Sequence, residues 1–210
     1  MLLTNDWYYF TSAVDKKTCT KIKRLVKDNF KIASVDRQES ITDEERKTGR
    51  KKDLGIDKKF RISGVGWTNE QWLYDLIWPY MSRANELANW NFDIKYAENI
   101  QITRYRLGEF YDWHKDGFSD ALSSHKRPDN KFLDGNVRKL SMTILLNNNY
   151  EGGEFQFSNS TKNVQEILTP PMKEVGSIIV FPSFMEHRVT PITKGTRYSM
   201  VAWFVGPPFK

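Results

Sequence analysis

The chain divides by the period of its apolar positions. From Asp15 to Phe30, Cys19, Ile22, Val26 and Phe30 recur at helical spacing with lysines between them, which predicts an amphipathic helix. A second helix is predicted to begin near Thr68, where Thr68-Asn69-Glu70-Gln71 has the form of a capping box. Behind it Trp72, Leu76, Tyr80, Ala84 and Leu87 form an apolar stripe. Pro79 lacks an amide proton and should kink or split that helix. Between the two, Glu44 to Arg61 carries eight Lys/Arg against four Asp/Glu without apolar period, and reads as a surface loop.

From about Asp93 the pattern shortens to β runs: Ile94–Arg106, Phe110–His114, Lys139–Asn147, Gly153–Phe157, Ser177–Phe181, His187–Pro191 and Thr196–Val205. Turn signals at Asn147-Asn148-Asn149, Glu151-Gly152-Gly153 and Thr193-Lys194-Gly195 separate several of them. The expectation is a mainly β protein, an antiparallel sandwich or barrel with N-terminal supporting helices. At 210 residues it is read as one domain: residues 1–92 a helical support region with a basic loop at 36–61, residues 93–205 the β core.

Composition narrows the class. Hydrophobic residues at 39% and aromatics at 14% exclude a disordered chain. Cys19 is the single cysteine, so no internal disulfide forms, which fits a reducing cytosol. No apolar run reaches membrane-spanning length and the N-terminus lacks a signal-peptide layout, so a cytoplasmic protein without membrane attachment is expected. The net charge of +6 is compatible with an acidic partner but does not choose between a nucleic acid and an acidic peptide.

Three residue groups carry candidate chemistry. In an extended segment His114 and Asp116 point the same way and can reach one ion, although a loop histidine beside an unrelated aspartate gives the same pattern. His187 follows the apolar run Ser177–Phe181 after a short turn; alone it could be a hydrogen-bonded structural residue. Together the two imidazoles and one carboxylate make the facial triad that leaves three positions open on iron(II). Arg197 lies on a strand apolar on both faces, so its guanidinium needs a carboxylate, either from the protein or from a cosubstrate. His125, in the polar stretch Ser119–Arg138, reads as a solvated loop residue.

The order His-x-Asp, His187 after about seventy residues, and an arginine ten further on resembles the 2-oxoglutarate/iron(II) dioxygenases, and more narrowly their prolyl 4-hydroxylase-type branch. The supporting stretches are Ile102 to Asp116, Leu140 to Asn147, Tyr150 to Phe155, Gly176 to Pro182, His187 to Pro191 and Gly195 to Ser199, so the resemblance covers residues 93–205. It implies a double-stranded β-helix, or jelly roll. It also implies Fe(II) on His114, Asp116 and His187, 2-oxoglutarate with its C5 carboxylate on Arg197, and Tyr105 lining the cosubstrate pocket. Ascorbate binding is a further implication, as is an aromatic at Trp203 on the final strand. The implied reaction uses dioxygen to hydroxylate a prolyl residue of a peptide or protein, forming succinate and CO2. Net positive charge in 36–61 and 119–138 suits a substrate with an acidic flank, and both segments are long and polar enough to suit closing over an extended peptide. Asp112, Glu151, Glu154 and Glu186 are not nominated as catalysts, because the reaction requires no protein acid or base. One departure is visible: Leu145 stands where some prolyl hydroxylases carry a cosubstrate-binding tyrosine. The family splits on Lys or Arg for the distal carboxylate, and Arg197 favours the Arg version, with Lys194 expected in the turn. Alternatives are the same chemistry on a nucleic-acid base or free small molecule, or a silent metal-binding jelly roll. A nucleic-acid substrate is disfavoured because Trp203 occupies the place of the second arginine of the dealkylating relatives.

Overall fold

A computed structural model describes residues 5–27, 29–33, 58–117, 122–161 and 164–209, with 160, 161, 164 and 165 described by backbone alone. Most of the basic loop expected at 36–61, and the start of the 119–138 stretch, lie outside the described residues.

The helices form where amphipathic runs meet a cap. Helix α1 (Lys16–Arg24) starts at Asp15, whose carboxylate accepts from Thr18 N at 2.9 Å and Thr18 Oγ1 at 2.6 Å, and it buries Cys19 and Ile22. It ends earlier than its apolar period, because bonds to the third preceding residue tighten the chain at Leu25, Lys27 and Asn29 while Val26 stays buried. Helix α2 (Gln71–Leu87) runs through Pro79 without a break. The expected capping box is not made: the cap position is Glu70, whose N–H donates to Thr68 Oγ1 at 3.4 Å. The buried stripe is Leu73, Ile77, Met81 and Ala84, one step round from the one the sequence suggests. Both stripes are apolar at the start of this helix, and packing against the sheet selects between them.

The strands are β1 (Tyr8–Phe10), β2 (Lys31–Ile32), β3 (Arg61–Ile62), β4 (Gly64–Thr68), β5 (Tyr96–Ala97), β6 (Ile100–Tyr105), β7 (Phe110–His114) and β8 (Val137–Leu145). They continue with β9 (Tyr150–Gly152), β10 (Phe155–Thr161), β11 (Val164–Leu168), β12 (Ile178–Pro182), β13 (His187–Val189), β14 (Ile192–Gly195) and β15 (Arg197–Gly206). The larger sheet has the order β1-β12-β8-β15-β6-β4-β2 with β5 also on β15; the smaller is β11-β10-β13-β7-β3; β14 and β9 pair by themselves. All of these strand pairs are antiparallel, and the architecture is the expected jelly roll. Strands β1 to β4 were not foreseen, and they thread the N-terminal region into both sheets.

Period-2 alternation gives the larger sheet two different faces. On β15, Tyr198, Met200, Ala202 and Phe204 pack with α1 and α2 in one apolar core. Arg197, Ser199, Val201 and Trp203 therefore face the second sheet. The interior between the sheets is a smaller cluster built around Tyr105, Leu145, Phe155, Phe157, Ile179 and Phe181. Gly176 ties the N-terminal segment to this frame: its φ is +81°, Val14 N donates to its carbonyl at 3.0 Å, and a Cβ there would fall 1.7 Å from Val14 O.

Candidate metal centre between the sheets

Strand pairing brings the triad together. His114 is the last residue of β7 and His187 the first of β13, and the two are directly opposite in the antiparallel register. Their rings lie 4.1 Å apart between centroids. Asp116 follows two residues after His114, and its N–H donates to Ser183 O at 2.9 Å, which turns the chain back towards the metal-facing side. Its Oδ1 lies 3.9 Å from His114 Nε2 and its Oδ2 3.6 Å from His187 Nε2. One ligand atom from each residue can be chosen so that all lie within 4.8 Å of one another.

Each imidazole is oriented by its own strand. His114 Nδ1 lies 2.7 Å from Asp112 O, and His187 Nδ1 lies 2.9 Å from Met185 O. A carbonyl accepts only, so each ring keeps its proton on Nδ1 and directs the Nε2 lone pair inward. Burial, reinforced by the neighbouring His187, pushes His114 well below the ordinary histidine range and keeps it neutral. Burial alone would raise the Asp116 carboxyl. The facing His187 and His114, then Arg138 and the Ser141 hydrogen bond, outweigh burial and hold it below its ordinary value. Ser141 Oγ donates to Asp116 Oδ2 at 2.7 Å and is itself 2.9 Å from Ser183 Oγ.

Aromatic walls surround these ligand atoms. Tyr111 stacks on His114 at 3.4 Å with 13° between planes, and burial drives its hydroxyl up to about 12. Phe181 and Phe155 lie 4.8 and 5.4 Å from the His187 ring. Arg61 lies over the Tyr111 ring with its Cζ 4.3 Å from the centroid, and its Nε donates to Ser63 Oγ at 2.9 Å. This corrects the loop reading at its last residue: Arg61 is 7% exposed because β3 pairs with β7 opposite Tyr111.

Arg197 is 1% exposed at the start of β15, paired in register with Tyr105. Its Nη1 donates to Ser199 Oγ at 3.1 Å, its Nε has no hydrogen-bond partner among the described residues, and the guanidinium lies 5.7 Å from the Tyr105 ring. No ion pair joins it to a carboxylate among the described residues. The first of its two possible partners, a protein Asp or Glu, is therefore not found among the described residues. Gly153 helps seat it: a Cβ there would stand 3.1 Å from Arg197 Cδ and 2.4 Å from the Ile192 side chain. Lys194 lies in strand β14 rather than in the expected turn, because Ile192–Gly195 pairs with β9, and its exposed Nζ is 2.7 Å from Glu151.

At the rim, Glu98 Oε1 and Oε2 accept from Arg138 Nε and Nη2 at 2.6 and 2.8 Å, and the Arg138 Cζ lies 4.3 Å from the Trp203 ring centroid. Trp203 is 7% exposed, and its Nε1 has no hydrogen-bond partner among the described residues. His125 is not solvated: it is 4% exposed with Nε2 3.4 Å from Glu98 Oε1, because that buried carboxylate gives an otherwise polar stretch a place to dock. Ser141, Ser183, Arg61, Glu98 and Arg138 were all missed. Only Ser141 left a signal, as a small polar residue in a strand otherwise apolar on its neighbours.

Burial would raise the Glu98 carboxyl, but the charge and hydrogen bonds of Arg138, with His125, bring it from 4.5 down to about 2. A depressed folded-state value means stability that is complete above pH 4.5 and is lost as pH falls towards 2. Glu98→Gln is expected to lose about 3 kcal/mol at pH 7 by leaving Arg138 buried without its anion. In urea titrations the gap from wild type should close progressively between those two pH values; a gap constant with pH would refute the assignment.

Comparison with known proteins agrees with this geometry. The family model of the 2OG-Fe(II) oxygenase superfamily matches residues 100–205. A PKHD-type hydroxylase of Synechococcus sp. (strain CC9605) is 30% identical over 112 residues, which is 52% of this chain and 43% of that protein. The match thus spans less than half the length of that relative. Among solved structures, the viral collagen prolyl hydroxylase of Paramecium Bursaria Chlorella virus-1 in its 2OG complex has a TM-score of 0.62 and 16% identity, covering 96% of this chain and 97% of its own. A Pseudomonas putida prolyl-4-hydroxylase has the same TM-score and identity, covering 96% and 93%.

Proposed function

The chain belongs to the 2OG-Fe(II) oxygenase superfamily, and on that premise we propose that it hydroxylates prolyl residues of a peptide or protein, with His114, Asp116 and His187 as the iron ligands and Arg197 as the cosubstrate anchor. The family brings Fe(II) and 2-oxoglutarate as cofactors. In this reading residues 93–205 are the catalytic core of a single domain, and ascorbate serves as reductant. The observation that carries it is Arg197, a buried guanidinium that no carboxylate among the described residues pairs, in the same interior as a His/Asp/His cluster.

The residues fit both groups. Two neutral imidazole nitrogens and one carboxylate suit iron(II) and leave positions for a chelating cosubstrate. A dicarboxylate supplies the anion that Arg197 lacks, with Ser199 and Tyr105 beside it. When bound, iron(II) and 2-oxoglutarate provide the oxidising power that turns dioxygen and a C–H bond into a hydroxyl group, with succinate and CO2 as co-products.

The chain's own contribution is to bind, orient and exclude water. Asp112 O and Met185 O lock the imidazoles, and Ser141 locks one oxygen of Asp116. Tyr111, Phe155 and Phe181 keep water from the ligand atoms. No side chain has to give or take a proton in the central step. Ser141→Ala should weaken iron(II) affinity by about 10- to 100-fold, read by titration of the apoprotein. Retained affinity would show that Asp116 needs no outer support.

The prolyl target is favoured by what the chain is similar to: a PKHD-type hydroxylase and two prolyl hydroxylases. The exposed Lys126, Arg127 and Lys131 near the rim suit an acidic flank on the peptide. No described helix is long and apolar enough to cross a membrane. Incubation with a library of proline-containing peptides, iron(II), 2-oxoglutarate and ascorbate should add one oxygen to some members, seen by mass spectrometry. Succinate formation with no peptide oxidised, or oxidation of a methylated oligonucleotide instead, would overturn the prolyl assignment.

A further inference from the structure

Residues 122–136 lie between Asp116 and the start of β8, and they fold upon themselves. His125 N donates to Asn136 O at 2.8 Å, Gly135 N to His125 O at 3.0 Å, and Arg127 N to Asp134 Oδ1 at 2.8 Å. Apolar burial does little to dock this segment, since Leu122 and Phe132 are 49% and 50% exposed. It meets the barrel at β5 and the residue that follows: Phe132 lies edge-on to Tyr96 at 5.1 Å, and His125 Nε2 is 3.4 Å from Glu98 Oε1. That oxygen also accepts from Arg138 Nε, and Glu98 N donates to Trp203 O at 2.9 Å. One carboxylate thus joins the segment, the guanidinium over Trp203 and the site-facing strand β15.

We propose that His125 is a positioning residue: through Glu98 it seats residues 122–136 as a wall of the site beside Trp203, and so restricts the breadth of substrate admitted. The proposal rests on the reading of His114, Asp116 and His187 as the active centre. Its physical basis is that a polar segment with little buried apolar surface is held by specific contacts. Of those described, the His125 contact is the most buried.

Native-state trypsin digestion tests the seating without reference to turnover, because Lys126 and Lys131 are cleavable sites within the segment. His125→Phe keeps the ring volume and removes the nitrogens; cleavage at Lys126 and Lys131 should accelerate about tenfold or more. His125→Gln retains a polar group with similar reach and should restore most of the protection. Iron(II)-dependent binding of 2-oxoglutarate by calorimetry should stay within about threefold of wild type in both. Unchanged cleavage in His125→Phe overturns the proposal, as does equal acceleration at Lys95 and Lys173, which would make His125 a general core residue. On the proline-peptide library His125→Phe should oxidise more members than wild type; an unchanged spectrum overturns the restriction of substrate breadth. Failure of wild type to bind 2-oxoglutarate would refute the functional reading instead, and the cleavage result would stand apart from it.

Discussion

Asp116→Ala is expected to lower iron(II)-dependent succinate formation by about a thousandfold or more. Among the three clustered groups Asp116 is the one anion, and without it a dication would face two neutral imidazoles only. Asp116 is 7% exposed, so without a metal its carboxylate is stabilised mainly by Ser141 and the facing rings. Because its surroundings hold the carboxyl below its ordinary value, its removal should lower the apoprotein's melting temperature, and the rise that iron(II) gives wild type should disappear. For wild type that rise corresponds to about 2.7 kcal/mol when free iron is a hundredfold above its dissociation constant. Asp116→Glu should not rescue, because the extra methylene moves the carboxylate off Ser141. Iron-dependent stabilisation persisting in Asp116→Ala would refute the ligand assignment.

The sequence made this centre legible for a geometric reason. His114 and Asp116 are two apart, a spacing that puts side chains on one side of an extended chain, and the strand Phe110–His114 was read with the ends it has in the structure. That His187 lies opposite His114 is a fact of pairing between β13 and β7, which no local pattern encodes. The sequence groups the three by ligand type and by the ordered resemblance over residues 93–205, without the pairing itself. The polar supports were hidden for the same reason: Ser141 meets Asp116 across 25 residues and Glu98 meets Arg138 across 40. Short strands escaped because two- and three-residue elements such as β3 and β1 carry no period to detect. The α2 stripe was misplaced because Trp72, Leu76 and Tyr80 are as apolar as Leu73, Ile77 and Met81, and only contact with the sheet distinguishes them. Polarity misled at His125 and Arg61, where buried partners outweigh the character of the surrounding stretch.

Arg197→Met should raise the 2-oxoglutarate concentration needed for half-maximal turnover by about 100- to 1000-fold. Methionine approximates the length of the arginine shaft and removes the fork that would hold a carboxylate. At saturating cosubstrate, kcat should fall less than about tenfold, because the distal carboxylate is gripped before and during the reaction alike. Stability should move the other way. Arg197 is 1% exposed, Ser199 Oγ accepts from its Nη1, and no carboxylate among the described residues pairs it, so the charge awaits an anion in the interior. Replacing it should stabilise the ligand-free protein by roughly 1–4 kcal/mol. Adding 2-oxoglutarate with iron(II) should then stabilise wild type strongly and the variant weakly. Arg197→Lys should lie between the two, since it restores charge without the bidentate fork. This opposite movement of stability and affinity discriminates a ligand anchor from a structural arginine. A structural residue, once removed, lowers both. An Arg197→Met protein that melts below wild type and retains its response to 2-oxoglutarate would show that the guanidinium serves the fold instead.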